Sequence, residues 1–271
     1  MMYKNQRGAT LIVVLLLLVA ITVIGALAIR SSTTQLRVAT ASQAQQLMLQ
    51  NSDAALFQLE SPSELSRQMA LNGMFGFIKA EDDSGKELVF CYKAGDTNFF
   101  DFTKASLISW DGNTVTNTGL SQLGFCKIDS GYFSTHRKTV MTQVAIKAAD
   151  MSEAAAFQHM QTGTDVETAK ADPAQLYTVV ATTIFPNLSE NTNLTSSQLS
   201  SAIKNCFSNH FNAIPETKAE SLQGEITEDS TDDEKEAIRL AKLTVSQCLI
   251  DLGVPTHTQV ARYSLMQNIG K

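Results

Sequence analysis

The chain has 271 residues, 44% of them hydrophobic and 18% charged, with a formal net charge of −6. This is enough apolar material for one globular domain of ordinary size beyond a membrane-length segment. The acidic balance disfavours direct binding of nucleic acid or anionic lipid by the bulk of the chain.

Residues 1–8, MMYKNQRG, carry Lys4 and Arg7 and no acid. Residues 9–29 follow without a single charge, and at ~1.5 Å per helical residue they match the thickness of a bilayer's hydrocarbon core. A secretory signal peptide carries its small-residue cleavage site after the apolar run. Here Gly25, Ala26 and Ala28 run straight into Arg30 and a polar helix, so cleavage at that end is not expected. The flanking charges tie, Lys4 and Arg7 against Arg30 and Arg37, so the positive-inside count alone does not fix orientation.

Residues 31–59 contain neither Gly nor Pro and continue the helix. Leu36, Ala39, Gln43, Leu47, Gln50, Ala54 and Phe57 fall at three- and four-residue spacing, and Leu56 and Leu59 widen the stripe, so this face is expected to pack on a domain. The whole helix over 9–59 would be ~75 Å long. Glu60, Ser61 and Pro62 end it, because a residue before proline is pushed out of the α region.

Residues 63–74 read as a short helix and 80–87 as a turn. Over 87–93, Leu88, Phe90 and Tyr92 alternate with Val89 and Cys91, the pattern of a strand. Residues 107–110 and 113–116 flank Asp111 and Gly112, a pair that signals a tight type I′ hairpin. Residues 139–147 and 176–185 read as further strands, with a helix over 151–160 between them closed by Asp172 and Pro173. A sheet of at least three strands is expected.

After Phe185 a polar loop over 186–195 leads to a helix over 196–211 with Leu199, Ile203, Cys206, Phe207 and His210 on one face. A second helix is expected over 231–252, opened by a capping box of Thr231 with Glu234 and stopped by Gly253. Its stripe is Ile238, Ala241, Val245, Cys248 and Leu252. Residues 258–266 read as a last strand returning to the sheet. Four cysteines, Cys91, Cys126, Cys206 and Cys248, suit two disulfides in an oxidising compartment. The local pairs Cys91 with Cys126 and Cys206 with Cys248 are the expected connectivity, and the second would staple two packed helices. Sequence alone leaves that connectivity open.

A short basic leader ending in Gly8, then Ala9, Thr10 and Leu11, then an apolar run continuing into a polar helix, resembles the class III signal of type IV prepilins and type II secretion pseudopilins. The resemblance implies cleavage between Gly8 and Ala9 by a prepilin peptidase, methylation of the new N-terminus, and a leader over 1–8. It implies a helix over 9–59 that crosses the membrane at 9–29, and a periplasmic domain over 60–271 with a helical insert at 187–257. Most pilins carry a glutamate five residues into the mature chain, where this sequence has Val13. That departure, with RSSTTQLRVA and QNSDAALFQLE, resembles the PilX-type minor pilins and less closely the K-type pseudopilins that cap a secretion pseudopilus. The implied fold is α+β and pilin-like: a long N-terminal helix packed on a mainly antiparallel sheet. The implied role is non-enzymatic. It starts a type IV pilus used in adhesion and twitching motility, at or near the tip, from an inner-membrane position. The implied partners are the other minor pilins, the major pilin, a PilY-type tip adhesin and the peptidase, with no cofactor.

Other chemistry is weakly signalled. Cys206 and His210 stand at i and i+4 and could ligate zinc, but no CxxC or HxxxH pair accompanies them. The acids Glu225, Glu228, Asp229, Asp232, Asp233, Glu234 and Glu236 lack the alternation and Gly of a calcium loop and read as a solvated loop and helix cap. None of His136, His159, His210 and His257 stands in a nucleophile motif, and His136, Arg137 and Lys138 read as a basic surface turn. Asn187 and Asn193 open glycosylation sequons that carry no weight in a bacterial product. The competing reading is a membrane-tethered periplasmic enzyme or binding protein that uses 9–29 as an uncleaved anchor.

Overall fold

The computed structural model describes residues 9–61, 68, 73–79, 85–93, 95–96, 100–112, 114–128, 131–135, 137–148, 175–189, 191, 193–214, 216–226 and 230–265. The chain divides into two compact units, Met1–Gln46 and Leu47–Lys271. The first consists, where described, of the apolar and polar turns of helix α1, Ala9–Leu59.

In the second unit the remaining turns of α1 are followed by α2 (Met74–Lys79), strands β1 (Glu87–Tyr92), β2 (Ser106–Asp111), β3 (Thr114–Thr116), β4 (Met141–Ala148) and β5 (Gln175–Ile184). Helices α3 (Ser196–Asn209), α4 (Glu216–Gly224), α5 (Asp232–Ala241) and α6 (Val245–Asp251) come next, and β6 (Thr256–Leu265) closes the described chain. The strands form one antiparallel sheet in the order β3-β2-β1-β4-β5-β6. The fold is α+β and pilin-like, with a helical insert between β5 and β6.

One face of the sheet, carrying Leu88, Phe90, Val144, Ile146, Val179 and Ala181, forms a core with Ala55, Leu56 and Leu59 of α1 and Met74, Phe75 and Ile78 of α2. The helix face used differs from the sequence expectation. Leu56 and Leu59 are buried as expected, but they are joined by Met48, Ser52 and Ala55, whereas Leu47, Gln50, Ala54 and Phe57 are exposed, Phe57 at 77%. The true stripe includes Ser52, a polar residue that apolar periodicity skips. Its hydroxyl is satisfied inside the contact, at 2.9 Å from Gln259 Oε1 of β6 and 2.8 Å from the Leu49 carbonyl.

The opposite face carries Val89, Cys91, Met141, Ala145 and Ile184 and meets α3 and α6 through Ile203, Phe207, Val245 and Leu249. Disulfides join Cys91 to Cys126 and Cys206 to Cys248, at sequence separations of 35 and 42 residues. Loops of that size are worth about 3–4 kcal/mol in the chain-entropy model.

Three further expectations need correction. Asp111 pairs with Thr114, so the β2–β3 turn is one residue later than expected: Asp111 is the last strand residue and Gly112, at φ +57°, begins the turn. The helix expected over 231–252 is two helices. Helix α5 ends at Ala241, and α6 starts with its own capping box, in which the Thr244 side chain accepts from Gln247 N–H and the Gln247 side chain accepts from Thr244 N–H. A bridge between Phe211 and Thr244 holds the break against the chain after α3. Helix α4 had no counterpart in the sequence reading, because its nine residues, ETKAESLQG, carry little apolar periodicity. The helices expected over 63–74 and 151–160 fall almost wholly outside the described residues.

Gly124 shows why one connection takes the path it does. A Cβ at this position would collide with the Val89 carbonyl oxygen and lie 2.5 Å from the Ser106 backbone nitrogen. Its N–H donates to Ser106 Oγ at 2.9 Å, and that hydroxyl donates to the Ser121 carbonyl at 2.7 Å. Backbone atoms on two strands cannot yield as a flexible side chain would. Gly124→Ala is expected to lower the unfolding free energy by about 1–3 kcal/mol, the usual range for overpacking. Urea titration of the full chain in detergent, followed by the fluorescence of the single tryptophan, Trp110, checks this; an unchanged midpoint would show that the strands have room to part.

Candidate functional site

The N-terminal segment is the first place to look, because its described apolar side chains are exposed. Every large apolar residue from Leu11 to Ile29 is more than half exposed, from 52% at Val19 to 72% at Leu11. An apolar surface of that extent requires lipid or other chains. A helix can enter either, since its backbone groups are satisfied internally. The Thr22 hydroxyl donates to the Val19 carbonyl at 2.8 Å, so this polar side chain is also paired within the helix. The helix is long and apolar enough to cross a membrane. Val13 lies on it with 55% of its surface exposed and offers only aliphatic surface. Ala9 is the first residue of α1, and Gly8 lies outside the described residues.

The second place is the helical layer on the sheet, where a buried carboxylate sits at the start of β1. Glu87 is 1% exposed. Its Oε2 accepts from the backbone and side-chain amides of Asn212 at 2.8 and 3.1 Å, and its Oε1 accepts from the Ala213 N–H at 2.8 Å. The carboxylate therefore ties the chain just after α3 to the sheet. Burial pushes the Glu87 carboxyl above its ordinary value of 4.5, while these amide donors and Lys147 pull it back. Gln143 does a similar job on β4, donating to the Phe207 carbonyl at 3.1 Å and accepting from Cys126 N–H at 3.2 Å. Beside these contacts Trp110 stacks on Phe211 with ring centroids 4.8 Å apart.

Residue by residue, the other candidates separate. The Cys206 sulfur is bonded to Cys248, so it offers no thiolate to pair with His210 around a metal. Burial pushes the His210 imidazole below its usual range, and a hydrogen bond to the Leu243 backbone raises it in part. Among the described residues no group of three or more His, Cys, Asp or Glu could hold a metal ion. Of the acidic stretch, Glu228 and Asp229 lie outside the described residues; Asp232, Asp233 and Glu234 form the first turn of α5. There the Thr231 N–H and hydroxyl donate to Glu234 Oε2 at 2.8 and 3.0 Å, which holds that carboxyl below its ordinary range. Lys138 takes a left-handed φ of +54° and donates its N–H to the Thr135 carbonyl, a turn at the place of the basic cluster, of which His136 lies outside the described residues. His159 also lies outside them.

Several structural features lie outside the sequence reading, among them the capping box of Thr195 with Gln198. Glu87 carries no periodic signal, since a glutamate opening a strand is ordinarily solvated. The second capping box, Thr244 with Gln247, was legible as T-x-x-Q but was hidden inside an apolar stripe that ran through it.

A family model described as PilX N-terminal matches residues 7–57. That segment is similar to the N-terminal region of the PilX-type pilins of type IV pili. No curated protein and no solved structure matches the chain.

Glu87 gives a test by pH. The folded state holds the Glu87 proton more tightly than the unfolded chain, so the stability this group lends is fully present below about 4.5 and declines as pH rises through the folded value. Glu87→Gln cannot titrate. The unfolding free energy of the wild type minus that of the variant should therefore fall as pH rises above about 4.5. A difference that rises with pH would show that the amide donors keep the carboxylate ionised throughout.

Proposed function

We propose that the chain is a non-enzymatic minor pilin, held in the bacterial inner membrane by residues 9–29 with its C-terminal domain in the periplasm, which helps to start a type IV pilus and remains at or near its tip. The observation that carries this reading is one coincidence of positions. The PilX N-terminal match over residues 7–57 covers the helix that opens at Ala9 and whose large apolar side chains from Leu11 to Ile29 are all more than half exposed.

The working parts follow from the chemistry. A prepilin peptidase cuts after Gly8, where the absence of a Cβ lets the enzyme approach the scissile backbone closely. Residues 1–8 are lost, and Ala9 becomes a methylated N-terminus at the head of an apolar helix. The domain over 60–271, with its insert at 187–257, then stands outside the membrane. In an apolar bundle of helices a free amine needs a carboxylate partner, because leaving it unpaired costs several kcal/mol. Val13 stands where most pilins supply that carboxylate. The subunit can offer its Ala9 amine to a neighbour's glutamate but cannot neutralise a neighbour's amine in return. It is therefore tolerated in the first position of a filament and penalised in every later one. In this reading the other minor pilins and the major pilin meet it through α1, and a PilY-type adhesin sits beyond it.

The four helices between β5 and β6 favour a second reading, a K-type pseudopilin at the tip of a type II secretion pseudopilus, since helices inserted between sheet strands are a feature of that group. The two differ in partners: co-isolation with secretion-system pseudopilins in place of pilus subunits would select it.

Two outcomes test the main reading. Gly8→Val should leave a full-length precursor in the inner membrane, seen as an intact N-terminus by mass spectrometry. Normal processing of that variant, or an intact Met1 in the wild type beside an active prepilin peptidase, would remove it. Immunogold labelling of assembled pili should find the protein in few copies at filament ends, with filament number falling sharply on deletion. Regular labelling along the shaft would show that the missing carboxylate at Val13 does not set position.

A further inference from the structure

Helices α4, α5 and α6 enclose an open hollow of about 520 Å³, within the ~300–1,000 Å³ of ordinary ligand sites. Its character runs against that of the chain. In a protein of net charge −6, three cations, Lys235, Arg239 and Lys242, line it from α5 and its C-cap, against the single carboxylate of Asp251 on α6. The floor is apolar: Ile226, Ile238 and Leu243 are half-buried in it. Glu236 accepts two hydrogen bonds from Arg239 at 2.8 Å and offsets part of its charge, and Lys242 donates to Gln223 Oε1 at 2.6 Å. Helix α5 has no buried residue, so a cationic stripe there is not serving the core.

The spacing describes the occupant. Positions 235, 239 and 242 are four and three residues apart, which places the charges ~6 and ~10.5 Å along one helix face. Carboxylates at i, i+4 and i+7 of a second helix repeat those intervals. The hollow is too small for a helix of ~10 Å diameter, but it fits one or two apolar side chains projecting from one. A phosphate or nucleic-acid backbone offers no group for the isoleucine floor. We propose that this hollow is a docking site for an acidic amphipathic helix of a protein partner, its carboxylates along Lys235, Arg239 and Lys242 and an aliphatic side chain on Ile238 and Leu243. The site does not depend on the pilus reading, since it uses neither the leader nor α1.

The test uses the full chain in non-ionic detergent and a fluorescent synthetic helical peptide with glutamates at i, i+4 and i+7 and leucines between them. Binding at low ionic strength should weaken about tenfold in Arg239→Glu and in Lys242→Glu, and again at high salt, as exposed charge pairs are screened. Neither change should move the unfolding midpoint seen through Trp110, which keeps loss of binding distinct from loss of fold. The proposal is overturned if the peptide does not bind, or binds both variants as well as the wild type. It is also overturned if inorganic phosphate or phosphatidylglycerol vesicles displace the peptide at comparable concentration, or if the same variants abolish only self-association of the chain.

Discussion

The globular unit depends on one contact, the burial of Met48, Ala55, Leu56 and Leu59 of α1 together with the sheet face that carries Leu88, Phe90, Val144, Ile146, Val179 and Ala181. Each large aliphatic side chain removed from water there contributes about 1.5–3 kcal/mol as an upper estimate. The helix also supplies polar ties at the border of the contact: Ser52 to Gln259, and Glu60, whose Oε1 accepts from the Tyr263 hydroxyl at 2.9 Å. Both partners lie on β6, the last strand. The first and last described elements of the unit are thereby joined, and the sheet is closed against the helix from its far edge.

The other face of the sheet is covered as well, and this accounts for the character of the strands. Glu87, Leu88, Val89, Phe90 and Cys91 are buried without interruption in β1, as are the first six residues of β4. A sheet covered on both sides has no solvent face to carry polar residues. Several polar groups that remain inside have partners, Glu87 in Asn212 and Ala213, Gln143 in Phe207 and Cys126, Thr142 in Ser134 and Thr183, whereas Trp110 Nε1, Thr256 Oγ1 and His257 Nε2 find none among the described residues. The Glu87 and Gln143 ties add to the apolar contacts of Ile203, Phe207, Val245 and Leu249 in fixing the helical insert on the sheet, and the Cys206–Cys248 disulfide joins its helices. Leaving any one donor or acceptor orphaned would cost about 1–3 kcal/mol, so the network specifies position as much as it adds stability.

What was legible in the sequence follows from these facts. The span of α1, the strands and the capping box of Thr231 depend on local signals, and those were read at or near their true limits. The buried face of α1 was misread because its middle position is Ser52, whose hydroxyl finds a partner only after β6 returns, some 207 residues later. The break between α5 and α6 was missed for a related reason. The stripe from Ile238 to Leu252 keeps helical spacing, and the bridge of Thr244 to Phe211 that interrupts it is non-local. Glu87 was passed over because nothing in a sequence distinguishes a solvated glutamate from one whose three amide donors come from residues 125 and 126 positions away. Hydrophobic periodicity reports burial, and it is silent where burial is accompanied by a hydrogen bond.

The disulfides also bear on a matter that charge counting left tied. With Lys4 and Arg7 before the apolar helix and Arg30 and Arg37 after it, neither end is favoured as the cytoplasmic one. The cysteines lie entirely beyond the helix, from Cys91 onward, and all four are joined in pairs. Such bonds persist in the periplasm and not in a reducing cytosol. The sheet and its helical layer, built around sulfurs that are buried or nearly so, therefore suit an oxidising compartment. Core chemistry thus supplies an argument about sidedness that the flanking charges do not.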